Sequence, residues 1–269
     1  MIIENDESEK EEISLSNHII YTENVENEYG TIVLNRPEKR NAISLAMAEE
    51  LSKLLDQLKE RPLKFLVIKS AGESVFCAGG DLNDFHGSLN EQEAYDTLHN
   101  MKHVLSQLIT FPVPTICLLQ GKALGGGCEL ATACDIRIAK ETATFGFVQT
   151  NLGILPGWGG GAILYEKVPS SFALQWLTEG KMLDTSLLFE KGWLHKVIPE
   201  QDWIDEEKVL ENYLKKSMTQ MKYLKTQYLE SLSVPTLLEK MDKESARCAN
   251  LWSSPEHEAI VSEFLNKSK

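Results

Sequence analysis

Two spacings of apolar residues alternate along the chain. The stretches HIIYTENV (18–25) and TIVLNRP (31–37) read as short strands, joined by a turn from Glu26 to Gly30. From Ser44 to about Glu60 the spacing lengthens to three and four residues, with Met47, Leu51, Leu54 and Leu58 on one face and Ser44 as the N-cap. KFLVIKSA (64–71) is a buried-strand run, followed by a loop, ESVFCAGGDL (73–82), and a helix from about Glu91 to Ile109. The same order returns with the strand PTICLLQG (114–121), a glycine stretch with its helix, and the short strand DIRIA (135–139). This unit of strand, loop and helix predicts an α/β protein with parallel sheets and crossover connections. From about Trp158 onward the pattern is mostly helical. It is interrupted by TSLLFEKGWLHKVI (185–198), which reads as a helix, a stop at Gly192 and a short strand.

No Gly/Ser-rich linker divides the chain. The expected organisation is a flexible acidic tail over residues 1–14, one core over 15–200 and a helical C-terminal region over 201–269. With 42% apolar and 25% charged residues, the 269-residue chain has the composition of a soluble globular protein. The net charge of −13 argues against nucleic acid and against an anionic membrane surface as partners. The N-terminus, MIIENDESEKEEIS, is acidic where a secretory signal is basic, and no apolar run approaches the roughly 20 residues of a membrane span. A cytoplasmic protein is expected. The five cysteines form no CxxC pair, so neither a disulfide framework nor a zinc knuckle is indicated. His99 and His103 lie one helical turn apart, but without a third ligand they read as a solvated face, and no metal is expected.

Candidate chemistry lies in the glycine loops. The sequence ALGGGCELATACD (123–135) lacks the Lys-Ser/Thr ending of a phosphate loop and the spacing of a dinucleotide fingerprint. A flexible strand-to-helix turn explains the glycines in the simplest way. The alternative is a helix N-terminus whose unpaired N–H groups face a negative charge without obstruction by side chains. FCAGGDL (76–82) offers the same chemistry at Gly79 and Gly80. Two such loops can present one N–H each to a single oxygen, which makes an oxyanion hole. Glu129, three residues after Gly126, is either a surface acid favoured by the helix dipole or, among Cys128, Leu130 and Ala131, a buried proton carrier with a raised pKa. No G-x-S-x-G elbow is present.

In their order and spacing, LNRPEKRNAIS (34–44), FCAGGDL, GKALGGGCELATACDIRIA (121–139) and LGILPGWGGG (152–161) resemble the crotonase family, the enoyl-CoA hydratase/isomerase superfamily, from about residue 17 onward. The resemblance implies a spiral of β-β-α repeats and a helical C-terminal region that mediates assembly into a trimer or a dimer of trimers. It also implies an acyl-CoA substrate, with no cofactor beyond the CoA moiety. It assigns the N–H groups of Gly80 and Gly126 to the thioester oxygen and Glu129 to proton transfer. Lys39, Arg40 and Ala42 would lie near the CoA, and Ala78, Asp81 and Leu82 along it. Phe264 and Lys267, in EFLNK, would reach the CoA of a neighbouring subunit.

One departure matters. Hydratases of this family use a second glutamate, in a segment matched here by FGFVQTNLG (145–153), where the position is Gln149. An amide cannot exchange a proton at neutral pH, although it can hydrogen-bond. The stretch FVQTNLGILPGWGG also resembles the family's ethylmalonyl- and methylmalonyl-CoA decarboxylase branch, including its tryptophan at Trp158. The expected activity is therefore that of an acyl-CoA lyase which decarboxylates a malonyl-type CoA through a thioester enolate. The alternatives are a hydratase or isomerase working through Glu129, and a CoA-binding protein without catalysis.

Overall fold

The computed structural model describes residues 10–14, 17–81, 84 and 89–267, with side chains described over 17–81, 84 and 89–263. A seven-stranded sheet has the order β1 (Lys10–Ser14), β2 (Ile19–Asn24), β3 (Tyr29–Leu34), β4 (Phe65–Ser70), β6 (Thr115–Leu119), β8 (Ile136–Lys140), β11 (Lys196–Ile198). Its first three strands are antiparallel, and from β3 onward every pairing is parallel. A smaller sheet, ordered β10 (Leu183–Asp184), β9 (Thr144–Gly146), β7 (Lys122–Leu124), β5 (Val75–Cys77), holds the second strand of the pairs β4–β5, β6–β7 and β8–β9. The repeat is thus strand, strand, helix. Strand β5 falls inside what the sequence reads as a loop, β7 runs into the glycine stretch, and β9 lies where the sequence reading places no element, because so few residues carry no period.

Strands β4 and β6 are largely apolar on both faces because both faces are covered, and β8 is so apart from the buried Arg137 and the terminal Lys140. Leu66, Ile68, Cys117, Leu119 and Ala139 join the main core, with the helices α1 (Leu45–Leu58) and α2 (Glu91–Ile109). Phe65, Val67, Ile116, Leu118 and Ile138 form a second apolar layer, closed by Val209 and Leu210. Ser44 caps α1 as expected, accepting from the N–H of Met47, and Asn90 caps α2 in a capping box with Glu93.

Residues 10–14 differ from the expected flexible tail. They pair with β2 over five positions, from Lys10 opposite Asn24 to Ser14 opposite Ile20. The free backbone edge of β2 outweighs their polar composition. Residues 1–9 lie outside the described part. The C-terminal region is helical, as expected, and includes α8 (Glu206–Leu214), α10 (Val234–Trp252) and α11 (Pro255–Lys267). It is not a separate unit: α8 supplies Val209 and Leu210 to the outer layer, and α10 packs along α2. No helix among the described residues is long and apolar enough to cross a membrane.

Candidate active site

The two glycine loops meet where β5 and β7 end. Beyond Cys77 the chain runs alongside residues 40–43. The N–H of Ala78 donates to Arg40 O (3.0 Å), that of Ile43 to Gly79 O (2.8 Å), and that of Asp81 to Ile43 O (2.8 Å). Ile43 thereby engages the residues on either side of Gly80, and the N–H of Gly80 itself turns to the opposite face. Gly126 opens helix α3 (Gly126–Ala133), where the first N–H groups have no acceptor within the helix. Neither N–H finds an acceptor among the described residues. The loops touch: Gly79 has φ +98°, and a Cβ there would lie 3.3 Å from the nitrogen of Gly126.

Glu129 lies in the first turn of α3 and is 2% exposed. Its Oε1 accepts from the backbone N–H of Trp158 (2.9 Å) and Gly160 (3.0 Å), and its Oε2 from Nε2 of Gln149 (2.9 Å). Burial outweighs these three bonds and pushes the carboxyl up to about 7. Of the two sequence alternatives for Glu129, the buried acid is the one observed. Gln149 sits on a 3₁₀ turn (Gln149–Leu152) with its Nε2 engaged by Glu129 and its Oε1 buried without a partner.

These groups line one cavity of about 100 Å³. Its polar side is Gly79, Gly80, Gly125 and Gly126 with Glu129 and Gln149, and its apolar side includes Leu98, Ile154 and Trp158. Among the described residues Glu129 is the one Asp, Glu, Lys or Arg side chain in that lining. The wall is completed by Cys248 and Trp252 of α10, which no motif in the sequence marks, because helix packing rather than spacing brings them here.

The expected CoA-contacting residues divide into groups. Lys39 and Arg40 are exposed on a turn beside Ala42, and the backbone pairing of 40–43 with 78–81 brings them next to Ala78. Asp81 is 7% exposed and its carboxylate is held by Nη1 of Arg36 at 2.5 Å, so it fastens the loop from within. Buried Asn41 does the same, accepting from the N–H of Arg36 and donating to Ala71 O and Val75 O. The sequence reading missed this latching role of Arg36 and Asn41. Leu82 lies outside the described residues. Phe264 and Lys267 fall on α11, but their side chains are not among those described. Among the described residues no three or more His, Cys, Asp or Glu side chains gather as a metal site requires, and His99 and His103 border a separate surface cleft. A larger cavity, of about 600 Å³, lies at the far edge of the long sheet and shares no lining residue with the glycine loops. Its most buried cations are engaged internally: Arg137 donates to the carbonyls of Trp193 and Cys134, and Lys225 pairs with Asp135 at 2.5 Å.

Residues 24–269 match the sequence profile of the enoyl-CoA hydratase/isomerase family. Among curated relatives, the mouse enoyl-CoA hydratase domain-containing protein 2, mitochondrial, is 36% identical over 172 residues, which is 64% of this chain and 58% of that protein. The mouse methylglutaconyl-CoA hydratase, mitochondrial, is 37% identical over 158 residues, covering 58% and 50%. The chicken ethylmalonyl-CoA decarboxylase is 35% identical over 174 residues, covering 64% and 58%. In each case the matched stretch spans less than two thirds of the relative's length. The crystal structure of an enoyl-CoA hydratase from Bacillus halodurans superposes with a TM-score of 0.81 over 91% of this chain and 99% of that one, at 21% identity, a likeness of fold.

Proposed function

The chain belongs to the enoyl-CoA hydratase/isomerase family, and we propose that within it the protein decarboxylates a short malonyl-type acyl-CoA such as methylmalonyl- or ethylmalonyl-CoA. The observation that carries this reading is that, among the described residues, Glu129 is the one carboxylic acid lining a small, largely apolar cavity beside two free backbone N–H groups. Hydration divides its proton steps between two carboxylates in this family, and the second position holds Gln149.

The thioester oxygen accepts from the N–H groups of Gly80 and Gly126, with the substrate carboxylate turned out of the thioester plane. The bond from that carboxylate to the α-carbon breaks, its electron pair becomes the enolate, and CO₂ leaves. The negative charge moves from a carboxylate that the apolar lining solvates poorly to an oxygen facing two donors, which lowers the barrier. Protonated Glu129 then gives its proton to the α-carbon and is reprotonated from water. Gln149 holds Oε2 of Glu129 and adds no second negative charge beside the substrate carboxylate. In the alternative, hydration, ionised Glu129 removes a proton from water; the names of the hydratase relatives keep this reading in view.

The two readings demand opposite protonation states of one residue. Decarboxylation uses the acid form of Glu129, so kcat/KM for CO₂ release from ethylmalonyl-CoA should fall as pH rises through about 7. Hydration uses the carboxylate, so kcat/KM for crotonyl-CoA would rise through the same pH. A falling limb for CO₂ release supports the proposal. A rising limb with crotonyl-CoA, without CO₂ release, overturns it in favour of the hydratase. No turnover of either leaves a CoA-binding protein.

A further inference from the structure

The cavity of about 600 Å³ at the far edge of the long sheet lies away from the glycine loops, and its charges do not balance. It opens at the N-terminal ends of β6, β8 and β11, beside Pro114, Ile136 and His195. Helix α4 (Gly160–Lys167) adds its last residue to the wall, and α9 (Met218–Ser231) adds Met221, Leu224, Lys225 and Tyr228. In a chain of net charge −13, this wall sets Arg137, Lys167, Lys216 and Lys225 against Asp135 and Glu166. Both carboxylates are engaged already, Asp135 with Lys225 and Glu166 with Lys240, which lies outside the lining. Arg137, Lys167 and Lys216 are left without an ion pair among the described residues.

Arg137 is wholly buried. Its Nε donates to Trp193 O, and its Nη1 to the carbonyls of Ala131, Thr132 and Cys134 at the end of α3. Those carbonyls explain why a cation sits there, but they are dipoles and do not neutralise it. They also leave Nη2 with no acceptor among the described residues. A buried guanidinium nitrogen without an acceptor is unfavourable unless something outside the chain accepts from it. Two residues earlier, on the same side of the strand, Oδ1 of Asp135 is buried without a donor. Lys167 Nζ reaches Cys134 O only at 3.4 Å and lies 5.0 Å from the centre of the Tyr228 ring. Burial first, and then the Arg137 charge, pull its amine down to about 7, and the same two causes pull His195 down to about 4.

We propose that this cavity binds a phosphate group: Nη2 of Arg137 and Nζ of Lys167 donate to its oxygens, the exposed Lys216 adds charge at the mouth, and a phosphate hydroxyl donates to Oδ1 of Asp135. The donors are separate points and not a two-pronged guanidinium fork, so they suit the several oxygens of a phosphate better than a flat carboxylate. Met221, Leu224 and the Tyr228 ring form an apolar wall for the organic part of a phosphate monoester, and the volume is that of a small-molecule site. The site is independent of the acyl-CoA reaction at the glycine loops, with which it shares no lining residue.

The test uses inorganic phosphate on the full chain, with ionic strength held constant by chloride. The carbon-13 resonance of the Lys167 ε-carbon is identified as the one lost in Lys167→Gln. It should shift saturably with phosphate, and its titration midpoint should rise, because a bound anion favours the ammonium form. Phosphate should raise the melting temperature of wild type, and in Lys167→Gln it should bind roughly tenfold more weakly or less tightly still, while acyl-CoA turnover is unchanged. Sulfate, which has the oxygens but no hydroxyl to give Asp135, should bind roughly tenfold more weakly than phosphate. A Lys167 resonance unmoved by phosphate up to tens of millimolar overturns the proposal. A shift that chloride or butyrate reproduces overturns it too, as screening or as a carboxylate pocket. Sulfate binding as tightly as phosphate overturns the part given to Asp135. Should Lys167→Gln not fold, Lys167→Arg identifies the resonance and the wild-type shift decides.

Discussion

Glu129→Gln should fold, bind CoA thioesters and lose roughly 10²–10⁴-fold of kcat. The substitution is isosteric, and the site can satisfy it. Its oxygen takes over the N–H groups of Trp158 and Gly160. Its amide meets Gln149, whose Oε1 has no partner in the wild type and accepts once the Gln149 amide turns over. The variant therefore removes a proton and little else. Without a proton donor the enolate in a small cavity recaptures CO₂ faster than it is quenched, and net turnover stalls. The stability data should carry a matching signature. A carboxyl pushed up to about 7 in the folded protein, from an ordinary 4.5, binds its proton more tightly folded than unfolded. Its contribution is therefore complete below the unfolded value and is lost as pH rises through about 7. Wild type should show that loss and Glu129→Gln should not. Retention of more than about a tenth of wild-type kcat would remove Glu129 from the chemistry.

Gly126→Ala carries the second large effect, and it arises from a wall rather than a charge. A Cβ at position 126 would lie 2.3, 2.4 and 2.8 Å from three carbons of the Trp158 indole, and that residue is only 3% exposed. One of them must move. Displacing the backbone at Gly126 misaims an oxyanion donor, whose loss typically costs 10²–10³ in kcat, while displacing Trp158 disturbs the N–H that holds Oε1 of Glu129. Both routes damage the same reaction, so kcat should fall by roughly 10²-fold or more, with destabilisation of about 1–3 kcal/mol from overpacking. Adding Trp158→Leu to Gly126→Ala opens the space and should recover part of the loss. A stable Gly126→Ala single variant with wild-type kcat would show that the close packing of indole on glycine is irrelevant to turnover.

The parts of this fold legible in the sequence are those with a period or a motif. Helix α1 follows from its apolar spacing and its Ser44 cap, and β4 and β6 from continuous apolar runs, because each is long enough to repeat its own pattern, while β8 is legible as the short strand DIRIA in spite of Arg137. The short strands β5, β7 and β9 were not legible, since their existence depends on neighbours that pair with them. Strand β1 was hidden by its charges and forms through backbone pairing with β2. The site divides in the same way. Gly80, Gly126 and Glu129 are marked by residue type within a dozen residues of a strand end, and Gln149 by its place in a motif. Asp81 illustrates the limit: its position suited a ligand contact, but Arg36, forty-five residues earlier, occupies it. Cys248 and Trp252 reach the cavity only through the packing of α10 on α2 and α4, which no local pattern encodes.

The most direct test of the reaction itself is to give the wild type crotonyl-CoA and ethylmalonyl-CoA in separate assays and to compare kcat/KM, with released CO₂ counted against decarboxylated acyl-CoA formed. An enzyme with one buried proton carrier at Glu129 and an amide at Gln149 is predicted to release one CO₂ for each butyryl-CoA formed from ethylmalonyl-CoA, and to hydrate crotonyl-CoA at least ~100-fold less efficiently, the usual cost of a missing acid/base group. Hydration of crotonyl-CoA at ordinary enzymatic rates, with no CO₂ from ethylmalonyl-CoA, would contradict it.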